Sequence, residues 1–448
     1  MPARVLITGL GAVSPIGVGV PAFVSGLRGG RSGVELLRPR DERLTTRVAA
    51  RCSGFDPADV LEGGDVKRLP ALLPMALAAA SEAAAQAGLG GLAQRGDRAS
   101  DVSSGARGDA RRVGLVLGTG AGGIDFTLDQ AEAVHHGRQP SLWTITNATH
   151  GNMAGELSIR LGLRGPSLCV SDGCASASDA AAHALGLLRS DRPGTPDAAV
   201  VVGADAHVRW ETLRGMELLR VISTRDFAGS PEAAATASRP FCKTRDGFVL
   251  GEGAWAMVLE REDRRVGDGA VLGELMGAAA TCDAYHRVRP DPDPGESVRA
   301  MRLAIEDAGL SVRDVGTVQL HGTATQVNDA LETRAVRAAF ADTDADALVC
   351  SSIKGAIGHP QGACGLASVV GVLGSMGAHD RDKGGAFFPP TINRVEADPA
   401  CDLDVCAEGA RALEASDPRQ MTCLINCLAF GAKNSALVVR AAAQGAGG

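Results

Sequence analysis

The sequence predicts an α/β protein, because two kinds of segment alternate along it. Short runs rich in β-branched residues end in glycine, and longer alanine-rich stretches lie between them. Continuous apolar runs of this kind suit strands that are buried on both faces of a sheet. Strands that alternate with helices are typical of α/β architectures.

The predicted elements follow in a regular order. Apolar runs predict strands at residues 4–9, 112–118, 198–203, 254–260, 315–321, 348–352 and 423–427. Helical patterns lie at residues 72–88, 178–188, 294–308, 330–341 and 365–376. Residues 95–112, rich in Ser, Gly, Asp and Arg without periodicity, predict an exposed insertion, and residues 441–448 predict a frayed tail. No Pro-rich or Gly/Ser-rich linker separates independent domains, which predicts two closely packed halves.

Composition limits the function. The chain has 448 residues, of which 45% are hydrophobic and 22% charged, as in globular proteins. Its net charge of −7 argues against nucleic acid and against a basic membrane-binding surface. The sequence shows no basic leader, no uninterrupted apolar run of about 18 residues and no CxxC pairing among its 11 cysteines. We therefore expect a reduced, cytoplasmic protein that does not enter a membrane.

Lysine is rare in this chain. Only 5 of the 45 lysine and arginine residues are lysines. A lysine is therefore a weak indication that an ammonium group is specifically required.

Cys174 lies where a strand-like run ends and an alanine-rich helix begins. A thiol at a helix N-terminus faces unpaired backbone N–H groups and the positive end of the helix dipole. Both favour the thiolate, which is the nucleophilic form. The position therefore predicts a reactive cysteine. The alternative is one more small buried hydrophobe among the cysteines.

Two histidines lie in glycine-rich settings far downstream of Cys174. His321 belongs to Leu-His-Gly-Thr-Ala-Thr at residues 320–325, and His359 ends Ser-Ser-Ile-Lys-Gly-Ala-Ile-Gly-His at residues 351–359. A lone cysteine with distant histidines that converge in the fold is the pattern of a thiol acyl-transfer enzyme. Each histidine could instead be a core residue bonded to backbone carbonyls.

With these motifs in this order, the chain resembles the β-ketoacyl synthases over nearly its whole length. The opening strand and turn at residues 4–17, the approach to the cysteine at 152–166 and the segment 239–253 are similar to family segments. Residues 283–286, Asp-Ala-Tyr-His, are similar to a family loop near the site entrance. Residues 430–434 are similar to its gating loop.

The resemblance implies a thiolase-like fold. Two related α/β halves, residues 1–260 and 261–448, would each carry a mixed five-stranded sheet and pack as a five-layer αβαβα sandwich. The motifs around Cys174 and the two histidines are most similar to catalytic subunits of bacterial type II polyketide systems. The resemblance also implies an acyl carrier protein as partner, and a dimer of two copies or with a chain-length-factor-like subunit. No metal or resident cofactor is implied, because the substrates ride on the carrier's phosphopantetheine.

The resemblance also implies roles for single residues. Cys174 would accept the acyl group, and the backbone N–H groups of Cys174 and Phe430 would form the oxyanion hole. His321 and His359, as neutral imidazoles, would hydrogen-bond the enolate of a decarboxylating malonyl unit. Lys354 would pair with the acidic residue of the His321 segment, Glu332, and order the site. A surface lysine is the alternative for Lys354.

Further residues are implied near the entrance. Thr323 and Thr325 would hydrogen-bond pantetheine, although both could be simple turn residues. Asp283, His286 and Phe430 would also contact the substrate or its pantetheine arm, with Asp283 and His286 on a mobile loop at the entrance. Basic residues could meet an acidic carrier protein, but a solvated charged surface is the more common explanation for them; these are Lys67, Arg68, Arg287 and Arg289.

The sequence departs from the family pattern at several positions. Asp172 replaces Thr or Ser two residues before the nucleophile, and its carboxylate would raise the thiol pKa unless it faces away. Ala429 and Ala432 replace glycines of the gating loop, which predicts a stiffer Phe430 segment. Residues 207–219 are bulkier and more charged than expected beside an acyl pocket. These departures bear on the acyl substrate.

The motifs and the resemblance bear on four candidate functions. The favoured function is a chain-elongating ketosynthase of a type II polyketide or specialised fatty-acid pathway. The first alternative is a ketosynthase-like acyltransferase or ring-closing enzyme that loads Cys174 without decarboxylating malonyl. A non-catalytic partner subunit is disfavoured by the intact cysteine. A degradative thiolase is disfavoured because Phe430-Gly431 occupies the gating position.

Overall fold

The computed structural model describes residues 3–38, 41–89, 109–343, 347–377 and 385–443. Most of the predicted insertion at 95–112 and of the predicted tail lies outside these residues. The strands are β1 (Val5–Ser14), β2 (Gly17–Val18), β3 (Val34–Leu36), β4 (Val48–Ala50), β5 (Val113–Gly118), β6 (Ser167–Val170), β7 (Ala198–Asp205), β8 (Gly253–Arg261), β9 (Gly273–Cys282), β10 (Thr317–Gln319), β11 (Val349–Ser351), β12 (Phe387–Phe388), β13 (Arg411–Ala412), β14 (Thr422–Ala429) and β15 (Lys433–Ala441).

The α-helices lie between these strands. They are α1 (Val20–Arg28), α2 (Gly63–Val66), α3 (Leu72–Gln86), α4 (Ile124–His135), α5 (Thr144–Ala148), α6 (His150–Leu161), α7 (Ser176–Leu188), α8 (Trp210–Leu219), α9 (Pro231–Ala234), α10 (Gly295–Asp307), α11 (Gln326–Ala339), α12 (Lys354–Ile357) and α13 (Cys364–Met376). No helix in the described part of the chain is both long enough and apolar enough to cross a membrane.

The strand order repeats itself. The main sheet runs β11-β10-β14-β15-β9-β1-β8-β7-β5-β6, and β2 pairs with β1 at its side. The N-terminal strands β1-β8-β7-β5-β6 contain two antiparallel pairs followed by two parallel pairs. The C-terminal strands β9-β15-β14-β10-β11 have the same pattern. In the described part of the chain, the two five-stranded sheets pair with each other through a short antiparallel contact between β1 and β9. The prediction of two related halves is confirmed.

The helices complete five layers. Helices α7 and α13 pack against each other between the two half-sheets, α3 and α6 cover the outer face of the first half-sheet, and α10 covers that of the second, with α11 packed beside it. Every residue of α13 is buried, as its sequence without a charged side chain requires for a central helix. Strands β7 and β8 are likewise buried at every position, because helices cover both faces.

All seven predicted strands and five predicted helices are present, with ends shifted by a few residues. Strands β9 and β15 were not predicted. The first is rich in alanine and glycine, which have weak strand propensity, so its pairing decides its conformation. Strand β8 ends at Arg261 and β9 begins at Gly273, and the domain boundary at residue 260 stays a prediction.

Candidate active site

Cys174 lies in a single turn of 3-10 helix between β6 and α7. Gly173 has a φ of 60°, a left-handed conformation that favours glycine, and so turns the chain sharply at the end of the strand. The Ser176 hydroxyl accepts from the Asp172 N–H and donates to the Gly173 carbonyl, which secures the turn. Gly118, at the end of β5, lets this turn approach, because a side chain there would collide with Ala177. The glycine-rich residues 118–123 are thus a strand-to-loop turn.

The two histidines converge on Cys174. His321 follows β10 and His359 follows the short helix α12 after β11. Because the carboxyl ends of parallel strands meet at one edge of a sheet, all three residues reach the space between the halves. Cys174 Sγ lies 3.2 Å from His359 Nε2, and the two imidazole rings are 5.3 Å apart, edge to face. All three side chains are at least 96% buried.

The structure corrects the expected ionisation of Cys174. Burial is the largest influence and raises the pKa of its thiol, and the thiol of Cys364 and the carboxylate of Asp205 act in the same direction. The Lys354 ammonium and a hydrogen bond from the Phe430 N–H to the sulfur oppose this rise. The helix N-terminus alone predicts a thiolate, but desolvation outweighs it. The resting group is a thiol.

Both histidines are neutral. Burial is the main cause that lowers the pKa of His321 and of His359 well below the usual range, and the nearby Lys354 ammonium lowers both further. A thiol and two neutral imidazoles therefore share one enclosed site. Because the thiol and both imidazoles are uncharged, no ion pair between them has to break before a proton moves to or from a substrate.

Lys354 and Glu332 are connected through His321, and not by the direct pair that the resemblance implies. Lys354 Nζ donates to the His321 carbonyl at 2.5 Å and lies 3.4 Å from His321 Nδ1. Glu332 accepts from the N–H groups of His321 and Gly322 and from Asn426 Nδ2, at 2.6, 2.8 and 2.7 Å. Its burial in α11 raises its pKa to about 7. The two side chains thus hold the His321 backbone from opposite sides.

A cavity of about 320 Å³ contains the reacting groups. Cys174, His321 and His359 line its inner part, and Phe430 lines its wall. Thr323 and Thr325 also line it, and their hydroxyls are 3.0 Å apart. The Thr325 hydroxyl additionally accepts from the Asn328 N–H and caps α11, so it has a structural role whatever it binds.

The entrance loop is only partly as predicted. Asp283 lines the cavity and accepts from Asn434 Nδ2 at 2.6 Å. His286 does not line the cavity, because its Nδ1 accepts from the N–H groups of Val288 and Arg289, both at 3.0 Å, and closes its own turn. The substrate-binding role of His286 stays a prediction. Arg289 lies at the cavity mouth.

The residues that depart from the family pattern have different surroundings near Cys174. Asp172 forms an ion pair with Lys433, the first residue of β15, so its carboxylate is neutralised. Ala429 lies within β14 in extended backbone and needs no glycine. Ala432, in contrast, has a φ of 63°, which costs an alanine about 1 kcal/mol. Of residues 207–219, only Leu219 lines the cavity.

Asp205, Cys364 and Cys427 are among the residues of the site that were not predicted. Asp205, fully buried at the end of β7, accepts from the Thr119 hydroxyl and from backbone N–H groups of the glycine-rich turn and of Gly362. It therefore ties the β5 turn to the chain just beyond His359. Cys364 and Cys427 donate their thiols to the Cys174 carbonyl at 3.2 and 3.0 Å. The sequence signal that could have identified Asp205 is its position as a charged residue at the end of an apolar strand.

Two clusters of cysteine and histidine side chains in the site carry atoms of the kind that bind metals. Among the described residues, the ligand atoms of Cys174, His321 and His359 lie within 4.8 Å of one another, as do those of His321, Cys364 and Cys427. The Lys354 ammonium, 3.4 Å from His321 Nδ1, opposes a second cation at this position. The donor set therefore suits acyl chemistry better than a metal.

Comparisons with known proteins identify the family of this chain. Residues 3–265 match the model for the N-terminal domain of β-ketoacyl synthases, and residues 272–381 match the model for the C-terminal domain. A 3-oxoacyl-[acyl-carrier-protein] synthase 2 from Coxiella burnetii is 32% identical over 441 residues, which cover 97% of this chain and 98% of that protein.

Solved structures show the same fold. A β-ketoacyl synthase from Burkholderia phymatum has a TM-score of 0.81 and 26% identity, and the likeness covers 98% of this chain and all of that chain. The ishigamide ketosynthase/chain length factor has a TM-score of 0.79 and 25% identity, over 98% of this chain and 99% of that chain. The predicted thiolase-like architecture is confirmed.

Proposed function

We propose that this chain, which belongs to the β-ketoacyl synthase family and is a carbon–carbon bond-forming acyltransferase, elongates acyl chains in a type II polyketide or specialised fatty-acid pathway. The observation that carries the proposal is the 3.2 Å contact between Cys174 Sγ and His359 Nε2, with neutral His321 beside them in one cavity. A thiol and two neutral imidazoles supply what each half-reaction requires.

In the first half-reaction, the Cys174 sulfur attacks the thioester carbonyl of an acyl group on the carrier's phosphopantetheine. The thiol proton passes to His359 Nε2, the carrier's C–S bond breaks, and the carrier thiolate takes up the proton as it leaves. The Phe430 N–H, which points to the sulfur in the free enzyme, stabilises the developing oxyanion. One such donor contributes about 3 kcal/mol.

In the second half-reaction, malonyl on a carrier loses CO2, and the electrons of the broken C–C bond form an enolate. Neutral His321 and His359 donate hydrogen bonds to the enolate oxygen. The enolate carbon attacks the thioester carbonyl on Cys174, the Cys174 C–S bond breaks, and the β-ketoacyl chain stays on the carrier. The cysteine then takes up a proton and is ready for another acyl group.

Lys354 supports this role of His321 by setting its tautomer. Its ammonium can only donate, so His321 Nδ1, 3.4 Å away, accepts. The ring proton is then on Nε2, the atom on the far side of the ring. Lys354 is therefore a positioning residue, which agrees with the rarity of lysine in this chain.

We also propose a partner subunit at the open edge of the first half-sheet. Strand β6 ends the sheet, and Leu168 on it is exposed. Apolar side chains of the adjoining helices α4 to α6 and the loop before α5 are exposed as well: Val134, Leu142, Trp143, Ile145 and Ile159. An unpaired strand edge beside exposed apolar side chains is typical of a subunit interface. The occupant is a second copy or a chain-length-factor-like subunit.

Intact-mass analysis of the purified enzyme with acyl- and malonyl-loaded carrier proteins tests the reaction. Wild type is expected to gain one acyl group, Cys174→Ala none, and addition of malonyl-carrier is expected to discharge the enzyme and lengthen the carrier-bound chain by two carbons. Acylation without malonyl consumption would instead support the acyltransferase or ring-closing alternative.

Mass photometry of wild type and Ile145→Glu tests the interface, because the charged variant should dissociate.

A further inference from the structure

Gln361 lies beside the nucleophile and was not singled out by the sequence. It follows His359 by two residues, is 93% buried and lines the cavity. Its Oε1 lies 3.8 Å from Cys174 Sγ and accepts from the thiol. Its Nε2, by contrast, has no hydrogen-bond partner among the described residues. The side-chain amide therefore brings two unused N–H donors into the reaction cavity.

Two unfavourable features coincide at this position. A buried donor without a partner is costly, and native proteins contain few of them. The backbone of Gln361 also has a φ of 46°, which residues other than glycine rarely adopt. An apolar side chain would avoid the first of these costs. Unfavourable features that persist at a reaction centre point to a role in ligand binding.

The loaded enzyme needs these donors more than the free enzyme does. Acylation of Cys174 removes the thiol proton, so Gln361 Oε1 loses the donor that it has in the free enzyme. The thioester oxygen is assigned to the Phe430 N–H, which leaves the amide of Gln361 for another oxygen. The next position along an acyl chain that commonly carries one is C3.

The distances allow this contact. From standard bond lengths, an oxygen on C3 of an acyl group on Cys174 lies about 3 to 5 Å from the sulfur. Gln361 Nε2 shares a carbon with Oε1, so it lies within about 6 Å of the same sulfur. A hydrogen bond of about 2.9 Å spans the remaining gap.

We propose that Gln361 donates a hydrogen bond to an oxygen on C3 of the acyl group that Cys174 carries, and so selects β-oxygenated over saturated acyl chains. This inference rests on the proposed function, since it requires that Cys174 is acylated. Gln361 is a specificity-determining residue here and takes no part in proton transfer. The substrate class is an acyl thioester with a 3-oxo or 3-hydroxy group.

The test compares acylation of Cys174 by three small thioesters: butyryl-, 3-hydroxybutyryl- and acetoacetyl-pantetheine. In each reaction the C–S bond of the probe breaks, a C–S bond to Cys174 forms, and the thiol proton leaves with pantetheine. Initial rates are measured by intact mass for wild type, Gln361→Met and Gln361→Leu. Methionine matches the length of glutamine but has no donor, and leucine provides a second apolar variant in case one misfolds.

Wild type is expected to prefer an oxygenated probe over butyryl by roughly tenfold, the selectivity that one buried hydrogen bond supports. Both variants should lose this preference, so that their rates with the three probes become similar. Preference for acetoacetyl alone would identify a 3-oxo group, and preference for both oxygenated probes would identify any C3 oxygen. Equal loss of all three rates, or a preference that survives both substitutions, overturns the inference. No acylation of wild type by any probe, or by acyl-carrier protein, instead overturns the proposed function.

Discussion

Asp172 and Lys433 form an ion pair that joins the turn of the nucleophile to the first residue of β15. The segment between β14 and β15 contains Phe430 and the strained Ala432. On its other side, Ala432 O accepts from the Asp283 N–H and Gly431 N donates to the Arg287 carbonyl. Contacts from two directions thus hold the Phe430 segment against Cys174.

Removal of either charge should loosen this segment. We expect Asp172→Asn and Lys433→Met each to increase alkylation of Cys174 by iodoacetamide about threefold, because a half-exposed ion pair contributes less than about 1 kcal/mol. The double variant should react no faster than either single variant, since one interaction is lost in all three. Peptide mass spectrometry must resolve the sites, because Cys282 is exposed and would be alkylated as well as the buried Cys174.

If the two charges acted only on the pKa of the Cys174 thiol, the single variants would change its alkylation rate in opposite directions. Without Lys433, the unpaired carboxylate of Asp172 would raise the pKa of the Cys174 thiol and slow its alkylation. Loss of Asp172 would lower that pKa and accelerate the alkylation. Opposite effects of the two single variants would therefore contradict a restraining role. Lys433→Arg should behave as wild type, and Lys243→Met, which removes the exposed pair with Glu396, is the matched control.

The pH dependence of Cys174 follows from its burial. Because burial raises the pKa of the thiol, the thiolate fraction should increase about tenfold per pH unit from about pH 6 to 9 without a plateau. No inflection is expected near pH 6.5, since both histidines are already neutral. Alkylation rates with N-acetylcysteine as the reference thiol check this. A plateau across neutral pH would indicate a thiolate–imidazolium pair and would contradict the prediction.

Glu332 should make stability depend on pH. Its folded-state pKa of about 7 is above the ordinary value of 4.5, so its contribution is fully present below pH 4.5 and is lost as pH rises through 7. Across that window it accounts for about 3 kcal/mol of the change in unfolding free energy. Glu332→Gln stays neutral and should flatten the curve measured by urea denaturation. Equal slopes for variant and wild type would show that Glu332 does not titrate in this range.

Asp205 should matter for stability although it contacts no reacting atom. Asp205→Asn replaces an acceptor of four hydrogen bonds by a side chain whose NH2 group faces the same donors. We expect a loss of about 3 kcal/mol in unfolding free energy and a slower second half-reaction, since the chain beyond His359 is released. Asp191→Asn, at an exposed ion pair, should change stability by less than about 0.5 kcal/mol. An unfolding free energy of Asp205→Asn equal to that of wild type would contradict the role assigned to Asp205.

Much of the fold could be predicted from local patterns. The apolar runs that became β5, β7 and β14 and the helical patterns that became α7 and α13 carry their own periodicity and burial. Strand β15 could not be found in this way, because it begins with Lys433-Asn434-Ser435 and owes its conformation to pairing with β14 and β9. The hydrogen bonds by which His286 closes its own turn could not be predicted either, because they are not visible in the spacing.

The sequence by itself indicated Cys174, His321 and His359 as candidate reacting groups, since each lies beside a glycine shortly after an apolar run, and such short-range patterns are local properties of the chain. The tertiary structure decided how these groups ionise and what holds them. Cys174 and His359 are 185 residues apart and meet only because two sheets pack around α7 and α13. That packing removes water, which reverses the expected shift of the thiol pKa and brings Asp205, Lys433 and Gln361 to the site.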